Sequence, residues 1–369
     1  MLNIMFGALL QMLPVVIGVK FQNPKRMAWW VYIPLNTGIA LFFISLYFDI
    51  ALYHPAALLL LLSIGSFALL TLYKLFNAPS NTPTLWAFRL SLISLLIALA
   101  MGVFLLTTLK NPPEIFGFVL PMHALFAAFG WIALLIIGVS YQVIPMFYVT
   151  TEIDRRVQYM VIWLISGALT LLLLALITLM ATDENIVVTF ILSATFDFIF
   201  FLLLNFALFV YAVMTLLRLY NRKRSIKEPS LGFWYVGLFA ALAASIYPAA
   251  MPFNHFSDNI YAVLFGYGFA ISIIYGMLYK IIPFLSWFHI SSRGFFDMPN
   301  MKEMVDERLL YLHLGLHLLS FALLILYPKA AAPFIIAENI LFYINIKKAV
   351  KIYFEYKAKK SPFEGFSRQ

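Results

Sequence analysis

Long apolar runs dominate the chain, and short polar or charged segments separate them. An α-helix needs roughly 20 apolar residues to cross about 30 Å of hydrocarbon, and eleven runs approach or exceed that length. The predicted spans are residues 2–19, 28–48, 56–76, 85–109, 123–148, 157–180, 186–217, 231–249, 260–288, 309–327 and 331–353. The pattern therefore predicts an all-α polytopic membrane protein.

Composition supports this class and excludes others. Hydrophobic residues make up 63% of the 369 residues, charged residues only 11%, and the mean hydropathy is +0.93. No soluble domain of this size has such a composition, so we expect one transmembrane domain over residues 1–369 with the lipid bilayer as its main partner. The net charge of +9 lies in loops beside apolar spans, which argues against a nucleic-acid partner. The absence of cysteine excludes disulfides and thiolate metal sites.

Loop charges predict the orientation. Almost all basic residues fall in one set of loops, while the opposite set holds little beyond Lys110 and Lys329. Because positive loops stay on the cytoplasmic side, we expect an outside N-terminus and a cytoplasmic C-terminus in a bacterial inner membrane. The first run has no basic region before it and no small-residue cleavage site, so we expect it to be retained as a span.

An eight-residue motif that starts with glycine and ends with proline occurs three times, at residues 7–14, 138–145 and 276–283. Its prolines, Pro14, Pro145 and Pro283, are separated by 131 and 138 residues. Further segments match at offsets of 144 and 146, and one such match pairs Lys74 with Arg218. The predicted repeat units are approximately residues 1–110, 111–250 and 251–369. All three copies end on the same side of the membrane, so the repeats are predicted to be parallel, whereas many secondary transporters use inverted repeats.

The segment 122–145 contains His123, the pair Gly130 and Trp131, and the second copy of the motif. Together with three parallel four-helix units, it resembles the catalytic subunit (subunit I) of haem-copper oxidases and its divergent relatives, including NnrS-type membrane proteins of the nitric-oxide response. The resemblance implies a haem-copper-oxidase-like bundle. Members usually have twelve helices, so eleven spans here imply that the first unit lacks its first helix.

Measured against the family's pattern, the chain has few of the histidines that bind metal in its members. His123 corresponds to a copper ligand of the family and is the one position carried over, as a haem or copper ligand. The equivalent position of the third repeat holds Tyr261, and the end of the sixth span has no histidine pair. An oxygen-reducing centre needs about six histidines, which this chain cannot assemble. The resemblance therefore implies the scaffold, haem or copper held by few ligands, and respiratory partner subunits, but not an intact oxidase.

Two further histidines share a helical face. His313 and His317 are four residues apart in the tenth span. They could bind a cofactor, by clamping a metal or flanking a haem edge, or make a polar contact between helices. The sequence favours the polar contact, because the pair is predicted to lie in the cytoplasmic leaflet and the metals of the family lie toward the outer side.

Polar residues inside predicted spans are candidates for a proton path. Asp197 and Glu338 lie within spans, where an ionised carboxylate costs at least about 2.5–3.5 kcal/mol on insertion scales. Asn205 aligns with Glu338 at an offset of 133 residues. Such groups must face protein or water, so they form either a proton or cation path or a buried hydrogen-bonded patch.

The repeated motif contains four more candidate residues for a proton path. Gln142 and Lys280 lie three residues before its proline, and Tyr141 and Tyr279 precede them. A polar side chain at this position can bond carbonyl groups that proline leaves free, so a structural role competes with a proton path.

Three functions remain open from the sequence. The leading hypothesis is a divergent subunit-I-like protein that binds haem or copper in respiratory or nitric-oxide-related redox physiology. The alternatives are a proton- or cation-coupled transporter that uses Asp197 and Glu338, and a scaffold or assembly subunit without a site of its own.

Overall fold

The computed structural model describes residues 1–78, 81–181, 186–223, 228–250 and 257–362, with the side chains of 179–197 outside that description. The described residues form helices and no β-strand. The helices are α1 Leu2–Val16, α2 Pro24–Phe48, α3 Tyr53–Phe76, α4 Pro83–Thr107, α5 Phe116–Leu125, α6 Leu134–Tyr148, α7 Arg155–Ala181, α8 Ile186–Tyr220, α9 Ser230–Ala250, α10 Asp258–Ala262, α11 Ser272–Ser291, α12 Glu307–Leu326 and α13 Ala331–Ala358.

Ten helices within the described residues are long and apolar enough to cross a membrane. This confirms the prediction of a polytopic helical membrane protein. The first predicted span differs, because α1 has 15 residues and extends only about 22 Å at 1.5 Å per residue. It contains Pro14, whose missing N–H weakens the hydrogen-bond ladder close to the helix end.

Two long helices contain a π-helical segment. Phe126–Ala133 joins α5 to α6, and Val263–Ile271 joins α10 to α11. Each segment ends twelve residues before the proline of the repeated motif, which is Pro145 in one helix and Pro283 in the other. π-Helical turns are rare and occur frequently at functional sites, so both segments direct attention to their neighbours.

The chain divides into two compact units. The first unit contains Met1–Gln142 and Glu152–Tyr211, and the second contains Val143–Thr151 and Ala212–Gln369. The core of the first is a large apolar cluster that includes Phe67, Phe88 and Trp131. The second contains a smaller cluster of Phe233, Tyr275, Tyr279, Leu310 and Ile346, with aromatic and polar residues mixed. The division into three repeat units stays a prediction.

Each unit has a glycine where two helices approach closely. A Cβ at Gly130 would collide with the Ser94 side chain, and one at Gly268 would lie 2.7 Å from Ala240 Cβ. The two glycines are 138 residues apart, and their contact partners are 146 apart, the offsets that relate the repeated segments. Glycine is therefore required by packing at both positions.

Candidate functional site

The second unit contains a buried histidine–carboxylate pair. His317 of α12 and Glu338 of α13 are both 0% exposed, and His317 Nδ1 lies 3.3 Å from Glu338 Oε2. An intramembrane ionisable residue that is paired in this way is a functional-site candidate by default. This pair is the centre of what we call the second-unit network, defined by His313, His317, Glu338, Tyr267, Ser272, Tyr275 and Tyr279.

The start of α12 is fixed against α13 by polar contacts. The Asp306 carboxylate caps α12 and accepts hydrogen bonds from the backbone N–H groups of Arg308 and Leu309. Asn345 of α13 accepts from the Asp306 N–H at 2.8 Å and donates to its carbonyl oxygen at 2.9 Å. This double contact sets the register of the two helices and holds His317 near Glu338.

Residues of the second π-helical segment and of α11 provide hydrogen-bond partners for both His317 and Glu338. The Tyr267 hydroxyl donates to Glu338 Oε1 at 2.6 Å, and its ring stacks on His317 with a centroid distance of 4.8 Å. Ser272 Oγ lies 2.7 Å from His317 Nε2. The Tyr275 hydroxyl donates to Asn339 Oδ1 at 3.0 Å and lies 3.5 Å from Glu338 Oε1. Every polar atom of the imidazole and the carboxylate has a partner.

His313 lies one helical turn before His317 and is also 0% exposed. Its Nδ1 is 2.8 Å from the Tyr279 hydroxyl, while its Nε2 is buried and has no hydrogen-bond partner. Aromatic rings surround it, with Tyr275 edge-on at 4.5 Å and Phe233 at 4.9 Å between centroids. The ring therefore lies in an aromatic pocket with one nitrogen hydrogen-bonded and the other without a partner.

The pair can pass its shared proton from one member to the other without a change in its net charge. A proton shared between His317 and Glu338 gives either an imidazolium–carboxylate pair or a neutral imidazole–carboxylic acid pair. Both forms have zero net charge, and the surrounding hydroxyl groups can rotate to donate to either. Tyr267 is half-buried and Tyr275 donates to the exposed Asn339, so the network reaches from a buried centre to the surface of the second unit.

The first unit places His123 of α5 in a different environment. Its Nδ1 lies 2.8 Å from the Ala98 carbonyl oxygen, which can only accept, so Nδ1 carries the proton and donates. The lone pair of the neutral ring therefore lies on Nε2, the arrangement typical of metal-ligating histidine. A Cβ at Gly102 would lie 2.9 Å from His123 Cε1, so glycine gives the ring its space.

His123 lines an apolar cavity of about 540 Å³. The remaining lining is almost entirely aliphatic and aromatic and includes Met5, Leu99 and Trp131. The indole Nε1 of Trp131 is buried without a hydrogen-bond partner. Ligand pockets typically have volumes of about 300–1,000 Å³ and few polar groups, so the cavity has the size and polarity of a small-molecule site.

The fit of the two sites to metals differs. In the described ranges of the chain, no three His, Cys, Asp or Glu residues lie close enough to hold a metal ion. A copper centre with several protein ligands therefore does not fit these residues. At His123, Nδ1 is hydrogen-bonded to Ala98 and Nε2 remains available for ligation. Both ring nitrogens of His317 have hydrogen-bond partners, and at His313 only Nε2 is available for ligation.

The other predicted residues lie outside these two sites. Lys280 forms an ion pair with Glu228, and its ammonium group lies 5.4 Å from the centroid of the Tyr148 ring. Gln142 Nε2 lies 3.4 Å from Thr84 Oγ1. The rings of Tyr141 and Tyr211 pack edge to face at 6.4 Å.

Asn205 is buried and donates to the Phe201 carbonyl oxygen of its own helix at 2.8 Å. Asp197 lies outside the residues whose side chains the structure describes. The proposed path from Asp197 to Glu338 therefore stays a prediction. Glu338 and Tyr279, by contrast, lie in one network with both predicted histidines of α12.

Sequence reasoning missed Tyr267, Ser272 and Tyr275. Aromatic residues are 17% of the chain, so no single tyrosine is distinctive. The steps from 267 to 272 and from 272 to 275 are five and three residues, and the five-residue step crosses the π-helical segment. A search at the α-helical spacing of three or four residues would not group Tyr267 with Ser272.

Comparison with models of known protein families and with the curated proteins found no match. The residues and their geometry alone therefore carry the functional proposals.

Proposed function

We propose that this is a proton-handling membrane protein, of the proton-coupled transporter type, that takes up and releases a proton at His317 and Glu338. The observation that carries the proposal is the buried contact between the two side chains at 3.3 Å, within a membrane-spanning helix pair. A carboxylate in the membrane interior is costly, and its main attested uses are proton relays, ion paths and ligand counter-ions.

The network supports proton exchange better than a purely structural role. A structural patch needs only satisfied groups, whereas His313 Nε2 is a buried, unpartnered atom one turn from the pair. An unsatisfied buried group costs about 1–3 kcal/mol, so its retention requires a gain elsewhere. A second imidazole that can receive the proton provides such a gain. The half-buried Tyr267 connects Glu338 to the surface.

The test measures protonation and proton flux in the full-length protein. Purified protein in liposomes receives a pH gradient, and an enclosed dye reports proton entry. Glu338→Gln keeps the shape of the side chain and removes its titration, so we expect flux to fall to the level of empty liposomes. Glu355→Gln is the matched control, because Glu355 is exposed and forms an ion pair with Lys351 of its own helix.

A second readout identifies the protonated carboxyl group. Carbodiimides react with the protonated fraction of a carboxyl group in apolar surroundings and trap it irreversibly, so peptide mapping should find the modification accumulating at Glu338 and not at Glu355. Unchanged flux in Glu338→Gln, in protein that elutes as the same monodisperse species, would refute the proposal.

A second function is favoured by His123. We propose that one haem binds through His123 Nε2 in the first-unit cavity, as expected for a divergent subunit-I-like protein with few ligands. The support is the Nδ1–H bond to Ala98, which orients the free nitrogen, and the apolar cavity of about 540 Å³. When bound, haem would supply one-electron redox chemistry. The scaffold of three parallel four-helix units and the outside N-terminus belong to the same proposal.

The haem proposal is tested by absorption spectroscopy. Protein expressed with a haem supply should show a Soret band and close to one haem per chain, and His123→Ala should lose both. His54→Ala is the control, because His54 is exposed in the first turn of α3. Protein that stays free of haem under these conditions would exclude this function and leave the proton proposal intact.

A further inference from the structure

The connection between α6 and α7 begins with a strained turn. Val149 has a φ of +53°, a left-handed conformation that is rare for a β-branched residue. Its carbonyl oxygen accepts a hydrogen bond from the Lys223 N–H at 3.1 Å, which ties the turn to the segment after α8. Strain of this kind costs about 1–3 kcal/mol and concentrates at binding and active sites.

The turn holds two buried polar atoms without partners. Arg218, in the last turn of α8, donates from Nη1 to Thr151 Oγ1 at 3.0 Å. Its Nε is buried and has no hydrogen-bond acceptor. The hydroxyl of the adjacent Thr150 is also buried and unpartnered. Native proteins contain few such atoms, and a bound acceptor would satisfy both of these donors.

The charge around the turn favours an anion. Arg155, Arg156, Arg218, Arg222 and Lys223 outnumber the carboxylates Glu152 and Asp154 in the neighbouring sequence, and Glu228 is paired with Lys280. Among the residues that the structure describes, no carboxylate lies within ion-pair distance of Arg218. The guanidinium therefore lacks a counter-charge from the described part of the chain.

We propose that the turn 149–151 and the end of α8 bind a phosphate-type anion, which accepts hydrogen bonds from Arg218 Nε and Thr150 Oγ1. A guanidinium and a hydroxyl group are typical donors to phosphate oxygens, and charge-assisted bonds of this kind are short and strong. The site lies at the end of a membrane span that closes at Tyr220. The phosphate of an anionic phospholipid and a free phosphate ion present the same chemistry to these donors.

The experiment uses full-length protein and two probes. In the lipid arm, native mass spectrometry measures retention of phosphatidylglycerol against phosphatidylcholine. In the ion arm, inorganic phosphate is titrated and the thermal unfolding temperature is recorded, with sodium chloride at matched ionic strength as reference. The variants are Arg218→Gln and the isosteric Thr150→Val. Lys74→Gln is the matched control, since Lys74 occupies the corresponding position of the first repeat at an offset of 144 residues.

We expect Arg218→Gln to weaken binding of the effective probe about tenfold and Thr150→Val to weaken it severalfold, while Lys74→Gln leaves it unchanged. Selective phosphatidylglycerol retention with this variant pattern supports a lipid phosphate. Stabilisation by inorganic phosphate with the same pattern supports a soluble anion. Equal binding in the parent protein and all three variants, or no binding of either probe, overturns the proposal. Neither result depends on proton flux.

Discussion

The two units differ in how their buried or partly buried histidines are hydrogen-bonded. In the first, His123 has one hydrogen bond and an open nitrogen above an apolar cavity. In the second, His317 has a partner at each nitrogen and packs among tyrosine rings. An imidazole with an open nitrogen and space beside it can bind an external group. An imidazole enclosed by its own hydrogen bonds can exchange only a proton.

The comparison predicts its largest effect for removal of the carboxylate. Glu338→Ala leaves His317 and the Tyr267 hydroxyl buried without their acceptor, and removing one partner of a buried pair costs about 3–5 kcal/mol. His123→Ala removes one hydrogen bond beside an existing cavity, so we expect about 0.5–1.5 kcal/mol. Thermal unfolding in detergent measures both. Similar losses in the two variants would mean that the sites do not differ in how tightly they are built.

A second test addresses the close helix contact of the second unit. A Cβ at position 268 would lie 2.7 Å from both Ala240 Cβ and Phe321 Cζ. Gly268→Ala should therefore destabilise the protein by about 1–3 kcal/mol through overpacking. Gly266→Ala is the control two residues away, where no atom lies within 4 Å of the added Cβ, and we expect no loss. If Gly268→Ala leaves the stability unchanged, the helices at this contact are packed loosely enough to accept a methyl group.

A third test compares two tyrosine hydroxyls that donate to different kinds of acceptor. Tyr267 donates to a carboxylate and Tyr53 donates to the Ser45 carbonyl oxygen at 3.2 Å. Hydrogen bonds to charged groups contribute about 1.5–3 kcal/mol, and those to neutral groups about 0.5–1.5 kcal/mol. Tyr267→Phe should cost more than Tyr53→Phe in equilibrium unfolding. Equal costs would indicate that Glu338 is protonated under the conditions of the measurement.

The smallest effect is expected at an exposed ion pair of the first unit. Asp49 and Lys110 are 2.8 Å apart, and the hydrogen bond with Lys110 lowers the pKa of Asp49 below its usual value of 3.8. The stabilisation is therefore present above that value and lost as pH falls through the lower pKa of the folded state. Asp49→Asn should leave the unfolding temperature nearly unchanged at pH 7 and flatten only its acid limb. A clear loss at pH 7 would contradict this.

Hydropathy predicted the membrane helices well, because bilayer thickness imposes a minimum apolar length on each span. Ten of the eleven predicted runs correspond to helices that can span a membrane in the described structure. The run at residues 2–19 is the exception, since composition alone gives no signal that α1 ends at Val16.

The sites were predictable only in part. The spacing of His313 and His317 placed both on one face, and Glu338 was recognised as a buried charge. Their contact depends on the register of α12 against α13, which Asn345 and Asp306 set through bonds that span 39 residues of sequence. No local pattern encodes such a bond. The role proposed for His123 rests similarly on its hydrogen bond to Ala98, a residue of another helix.

The segment Val263–Ile271 also determines the rotational phase of everything after it. An α-helix turns about 100° per residue and a π-helical segment turns less, so winding the same residues as uninterrupted α-helix would rotate Ser272, Tyr275 and Tyr279 together about the axis of α11. All three would then leave the helix face that meets the histidines of α12, while the sequence and its apolar surface stayed the same. A variant that removed only the π-helical winding would therefore keep the hydropathy and disrupt the second-unit network.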